Sequence, residues 1–132
     1  MPIERIRPEG LVHSPAFSHV AVVSPGATTI YVGGQNSVAA NGALVGEGDV
    51  AEQSTRALEN VRIALAAAGA TIEDVVQWTV LFVDGVDITA GYKAIASDLA
   101  SDEPALVTAA RVAGLGVPGA LVEIGAVAAI VR

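Results

Sequence analysis

Apolar positions fall along this chain in two rhythms, and the switch between them lays out the elements. Short runs rich in β-branched residues come first. Residues 3–7 and 19–24 read as brief strands, the second stopped by the turn pair Pro25-Gly26. Thr28 to Val32 (TTIYV) is β-branched and aromatic, which predicts a third strand running into Gly33-Gly34-Gln35. After the Asn41-Gly42 turn signal, Ala43-Leu44-Val45 predicts one more short strand.

The rhythm then changes. Ala57, Leu58, Val61, Leu65 and Ala68 recur on one helical face, with Arg56, Glu59 and Arg62 turned away from it. Asp49 and Glu52 mark the start, where carboxylates meet both the unpaired N–H groups and the positive end of the dipole. Gly69 marks the stop, and Thr71 to Asp74 form a short acidic turn. Residues 75–83 (VVQWTVLFV) return to a strand, with Val76, Trp78, Val80 and Phe82 on one side and Gln77, Thr79, Leu81 and Val83 on the other. Both sides are largely apolar, which predicts a central strand covered on both. Asp87 caps a second helix whose buried stripe is Tyr92, Ile95, Ala96 and Leu99. Two last strands, 106–113 and 121–131, are joined by a Gly/Pro-rich turn.

Two helices against an antiparallel or mixed sheet predict an α+β sandwich with both helices on one face, in a single domain spanning residues 1–132. The last strand, LVEIGAVAAIV, is apolar on both faces apart from Glu123. One helix layer covers only one of them. A chain of this size buries roughly 65–70% of its unfolded surface unaided, so self-association is expected to cover the other.

Composition sharpens this. The 132 residues are 52% hydrophobic and 16% charged, which excludes a disordered segment. Seven basic against fourteen acidic groups give −7, and Lys93 is the only lysine. With no basic run, nucleic acid is not an expected partner. No cysteine is present, which removes disulfides and thiolate chemistry and fits a reducing cytoplasm. Residues 10–46 carry no charge at all. Prolines and polar residues interrupt that tract before about 18 clean apolar residues accumulate, so no membrane span is expected. Glu4, Arg5 and Arg7 occupy the place of a signal peptide's apolar region, so none is expected.

Several motifs carry little. Gly114-Leu115-Gly116-Val117-Pro118-Gly119 fits the spacing of a dinucleotide fingerprint, but a strand follows it instead of a helix, and a hairpin loop is expected. His13 and His19 lack further ligands at metal spacing, so no metal is expected. Ser18 beside His19 is adjacency without a triad. Glu123 is different: a carboxylate in an apolar strand is costly without partners. Either it sits at an edge or in an interface ion pair, or it orients or deprotonates water in a semi-buried site. Arg111 is the basic residue available to pair with it or to hold a ligand carboxylate.

Taken together, these residues resemble the Rid/YjgF family. Ser14-Pro15-Ala16-Phe17-Ser18-His19 is similar to its Ser-Pro-Ala…Tyr-Ser-Gln-Ala entry, and Tyr31-Val32-Gly33-Gly34-Gln35 to its strand ending in Ser-Gly-Gln. Gln53, Leu58-Glu59-Asn60-Val61, Ala68-Gly69-Ala70, Asp74-Val75-Val76 and Asp84 follow its central helix and strand. Tyr92, Pro104-Ala105 and Leu121-Val122-Glu123-Ile124 match its second helix and C-terminal signature.

The resemblance implies a chorismate-mutase-like fold assembled as a homotrimer, with small-molecule ligands in intersubunit clefts. It also implies cofactor-free hydrolysis of reactive imino and enamino acids to keto acids and ammonia. In that chemistry an arginine holds the substrate carboxylate and a glutamate on the last strand positions water. Carried over, the glutamate is Glu123, the strand-end wall is Gly33 and Gly34, the N-terminal aromatic is Phe17 in place of tyrosine, and Thr108 lies two residues beyond the arginine position. The arginine itself is missing, because Pro-Ala-Arg is Pro104-Ala105-Leu106 here, and the second-helix asparagine is Thr89. Arg111 could substitute only if an extra residue formed a bulge that reversed the strand's parity. Two functions follow: an imine or enamine hydrolase of altered specificity resting on Glu123, or a non-catalytic trimeric module that binds a metabolite in the same cleft. The ribonuclease activity attached to the family is disfavoured by the negative charge.

Overall fold

The computed structural model describes residues 2–132. Two strands, β1 (Ile3–Ile6) and β2 (Val20–Val23), form a separate antiparallel ribbon. The main sheet holds β3 (Thr28–Gln35), β4 (Val75–Val83), β5 (Leu106–Val112) and β6 (Val122–Ile130) in the order β3-β6-β4-β5. All its pairings are antiparallel except β4 with β5, which is parallel. Helices α1 (Val50–Ala67) and α2 (Ile88–Leu99) pack side by side on one face. This is the expected α+β sandwich with a mixed sheet.

The helices begin where their caps predict. Asp49 Oδ1 accepts from the Glu52 N–H at 3.0 Å, and Asp87 Oδ1 from the Ala90 N–H at 3.1 Å. Leu58, Val61 and Leu65 of α1 and Ile95 of α2 are buried against Trp78, Val80 and Phe82 of β4 and Val122 and Ile124 of β6. Tyr92 is half-buried beside this core, and burial pushes its phenol pKa up from 10.0. Gln53 is fully buried and binds three loop groups: its Nε2 donates to the Gly46 and Gly119 carbonyls at 3.1 Å, and its Oε1 accepts from the Leu121 N–H at 2.8 Å. A polar side chain in the core is tolerable because all of this satisfies it.

Four details differ from the sequence reading. Ala43 to Val45 does not form a strand; its segment contributes one isolated bridge, Val38 to Leu44. Val76 does not share the face of Trp78, because a register shift between Val75 and Gln77 puts Val75 in the core instead. The third strand continues through Gly33-Gly34 to Gln35, with a one-residue shift between Val32 and Gln35. Finally, the Gly/Pro-rich segment is not a hairpin loop. It carries the chain across β4, since β5 pairs with β4 in parallel and β6 lies on the opposite side of β4. Gly119 in this crossover adopts φ +80°, and a Cβ there would meet Leu44 Cδ2 at 2.8 Å.

Candidate functional site

Strand parity sorts the sheet into a helix face and an open face. Along β6, Val122, Ile124, Ala126 and Ala128 are buried under the helices, while Glu123, Gly125 and Val127 alternate with them and are only half-buried. Register carries the division across the sheet. Glu123 stands opposite Leu81, Gly125 opposite Thr79 and Val127 opposite Gln77 on β4. Tyr31 of β3 stands opposite Val127 and is 80% exposed. Leu106 and Thr108 of β5 stand beside Gln77 and Thr79, and Gln77 Nε2 donates to Thr108 Oγ1 at 3.3 Å. A depression of about 350 Å³ opens on this face, lined by Tyr31, Gly33, Gly34, Gln77, Thr79 and Glu123 among others. That volume suits a small metabolite.

The glycine pair fixes the carboxylate. A Cβ on Gly34 would lie 2.6 Å from Glu123 Cδ and 2.8 Å from Cγ, so the glutamate side chain rests directly on the Gly34 backbone. No positive φ is involved; the requirement is steric. Asn36, only 9% exposed, donates from Nδ2 to the Val122 carbonyl at 3.0 Å and stands 3.5 Å from Glu123 Oε1, the limit of a hydrogen bond. Its own carbonyl accepts from Asn60 Nδ2 at 2.9 Å, and Asn60 Oδ1 accepts from Arg56 Nε at 3.0 Å. A chain of hydrogen bonds thus runs from α1 to the carboxylate. Among the described residues no Arg, Lys or His nitrogen lies within salt-bridge distance of it.

Of the residues singled out from the sequence, Glu123, Gly33, Gly34 and Thr108 share the open face. Arg111 does not join them. The β4–β5 register is continuous from Leu106 to Val112, which sets Arg111 opposite Phe82, with the residues of the helix face. The bulge that would have carried it round is absent from β5. Phe17 lies between β1 and β2, edge-to-face with His19 at a centroid separation of 5.4 Å, and does not line the depression. Sequence reasoning passed over Asn36, Gln77, Thr79 and Tyr31 as site residues. The polar Asn36 next to Gly33-Gly34-Gln35 in a charge-free tract was a signal, but its partner sits 87 positions away.

A second depression, about 450 Å³, lies between β1, β4 and the end of α2. Its Arg5 donates to the Glu73 and Val75 carbonyls at 3.0 and 2.7 Å, which ties the N-terminal strand to β4. The carboxylates around it belong to exposed loop and helix-end positions. The Glu123 face is the better candidate, because there a carboxylate, a hydroxyl and an amide converge.

The structure is that of a small α+β protein with two helices on one face of its sheet and, among the described residues, one carboxylate set into the other. The sequence model described as Endoribonuclease L-PSP matches residues 11–130, and the chain belongs to that family. Solved structures agree. A Rid-family protein of unknown function from Yersinia pestis is 31% identical, covers 98% of this chain and 100% of its own, and superposes with a TM-score of 0.86. A YjgF/YER057c/UK114 family member from Mycobacterium tuberculosis is 26% identical over 97% and 99% of the two chains, at 0.66. The YjgF gene product of E. coli is 28% identical over 80% and 83%, at 0.67.

Proposed function

We propose that this chain is a cofactor-free hydrolase of a reactive imine or enamine, acting as a cytoplasmic homotrimer through Glu123. The observation that carries the reading is the seat of that carboxylate, half-buried on an apolar face, laid on Gly34 and tied to Asn36. A carboxylate so held accepts a proton from water as the oxygen attacks the C=N carbon, and returns it to nitrogen as ammonia leaves. The expected products are a carbonyl compound and ammonia. The specificity is altered from that of 2-imino acids, since position 106 is leucine and Arg111 belongs to the other face. Endoribonuclease action, which the family's description names, is disfavoured: a net charge of −7 opposes binding of a phosphate backbone.

The test is a coupled assay in which an oxidase releases the imine and its disappearance is followed. Wild type should accelerate hydrolysis, and Glu123→Ala should lower kcat/KM by about 100-fold or more with its fold intact by circular dichroism. Acceleration that survives Glu123→Ala would sink the mechanism. The absent arginine favours a second reading, a trimeric module that binds a small metabolite at the same face without turning it over. No acceleration with any imine, carboxylated or not, would select it.

A further inference from the structure

Among the described residues, the open face carries one charge. Its β3 positions are Tyr31 and Gly33, and its β4 positions Gln77, Thr79 and Leu81. Its β5 positions, Leu106, Thr108 and Ala110, are likewise uncharged, and β6 supplies Glu123 between apolar neighbours. A ligand reaching Glu123 therefore meets its carboxylate, the Thr79 hydroxyl, the Gln77 amide and the Tyr31 phenol ring, with no cation among the described residues of that face.

The Gly33-Gly34 shift gives that carboxylate its orientation. Without it, strand pairing would continue from Val32–Ala126 and bring Asn36 opposite Val122, on the helix face. The extra residue moves Gln35 opposite Ile124, so the next position, Asn36, comes alongside Glu123. The asparagine amide approaches Oε1, while Oε2 lies over Gly34 and keeps lone pairs for a donor.

We infer that this face is selective for a cation: a protonated imine, or the matching amine, that carries no carboxylate. Its N–H groups donate to Glu123 in a charge-assisted bond, and its carbon skeleton lies on Leu81 and the Gly33-Gly34 strand end. An anionic 2-imino acid would instead bring its carboxylate toward Glu123, with no cation among the described residues of that face to receive it. This deepens the hydrolase reading and rests on it for the chemical step. In that step water oxygen bonds to the iminium carbon, Glu123 takes the water proton, and the π pair of the C=N bond moves to nitrogen, giving a neutral carbinolamine. Glu123 then protonates that nitrogen and, a carboxylate again, takes the hydroxyl proton as the C=O bond forms; the C–N bond breaks with its electron pair on nitrogen, and the departing ammonia takes that proton from Glu123. The net change converts one iminium ion and one water into one carbonyl compound and one ammonium ion.

Binding can be tested apart from turnover, on the full chain as it assembles in solution. Pyrrolidinium serves as a stable cationic probe and 2-oxobutanoate as an anionic one, each titrated against the amide resonances of Gly33, Thr79 and Gly125. Pyrrolidinium should shift these resonances in wild type, and Glu123→Gln should weaken it by about tenfold or more. 2-Oxobutanoate should leave them in place. Pyrrolidinium that fails to bind, or binds Glu123→Gln equally well, overturns the inference, as does tighter binding of the anion by wild type. In kinetics, an imine released by an amine oxidase should be hydrolysed about tenfold faster than a 2-imino acid released by an amino-acid oxidase. If pyrrolidinium behaves as expected and neither imine is hydrolysed faster than in buffer, the cation site stands and the hydrolase reading falls.

Discussion

Gly34 shows how much of the site depends on one missing side chain. The Glu123 carboxylate occupies the space a Cβ at position 34 would take, so Gly34→Ala must push the carboxyl group aside. A displacement on the order of 1 Å at a reacting group can cost about 100-fold in rate. The position has no positive φ and lies at the exposed end of β3, so the backbone accepts alanine without strain. Gly34→Ala is expected to lower kcat/KM by about 10- to 100-fold while the melting temperature moves by only about 2 °C or less. Paired kinetic and thermal measurements check this. Unchanged kinetics would show that the seat of Glu123 does not matter. Glu123 was legible because a charge breaks the pattern of an apolar strand, and the glycine pair because its strand end resembles the family's. Asn36 was not, since its role depends on which strand lies opposite and by how many residues the pairing slips. The idea that Arg111 reaches the site needed a bulge in β5, and the bulge lies in β3.

At the level of elements, local signals placed the N-caps of α1 and α2, because Asp49 and Asp87 act on neighbours three positions away. The order of strands is a long-range property. Nothing between Val112 and Val122 records that β5 runs parallel to β4 while β6 enters on the other side, so a hairpin was the natural local reading. The approach of α2 to the sheet rests on another glycine. A Cβ on Gly91 would stand 2.6 Å from Phe82 Cε1 and 3.0 Å from Val50 Cγ2, with both neighbours in or against the core. Alanine gains about 1 kcal/mol over glycine in helix propensity, but overpacking a closed core costs about 1–3 kcal/mol. The buried phenyl ring has little room to yield, so packing should win. Gly91→Ala is expected to destabilise the fold by about 1 kcal/mol, read as a lower urea midpoint with an unchanged slope. A higher midpoint would mean that α2 lifts away from Phe82 at little cost.

For the whole molecule, the face opposite the helices is left uncovered by the single chain. Val127 and Leu106 lie there half-buried, Tyr31 projects with 80% of its surface exposed, and Val20, Val22 and Val23 of the ribbon are also exposed. Apolar area on that scale marks an interaction surface. The charge-free tract from Gly10 to Gly46 contributes Tyr31, Val20, Val22 and Val23 to it. A second copy of the chain offers the same apolar surface, and cyclic closure buries it without leaving a free patch. In the proposed trimer the glycine-lined depression opens at a seam between copies. Light scattering should therefore return a mass of about 40 kDa, three times the 13.2 kDa chain. Val127→Lys places a charge in the middle of the face without touching the helix side of β6. It should lower the mass toward that of one chain and keep the helical circular dichroism signal, since the core beneath the helices is unaltered. A wild-type mass of about 13 kDa at micromolar concentration would refute the trimer and leave the open face to a different partner.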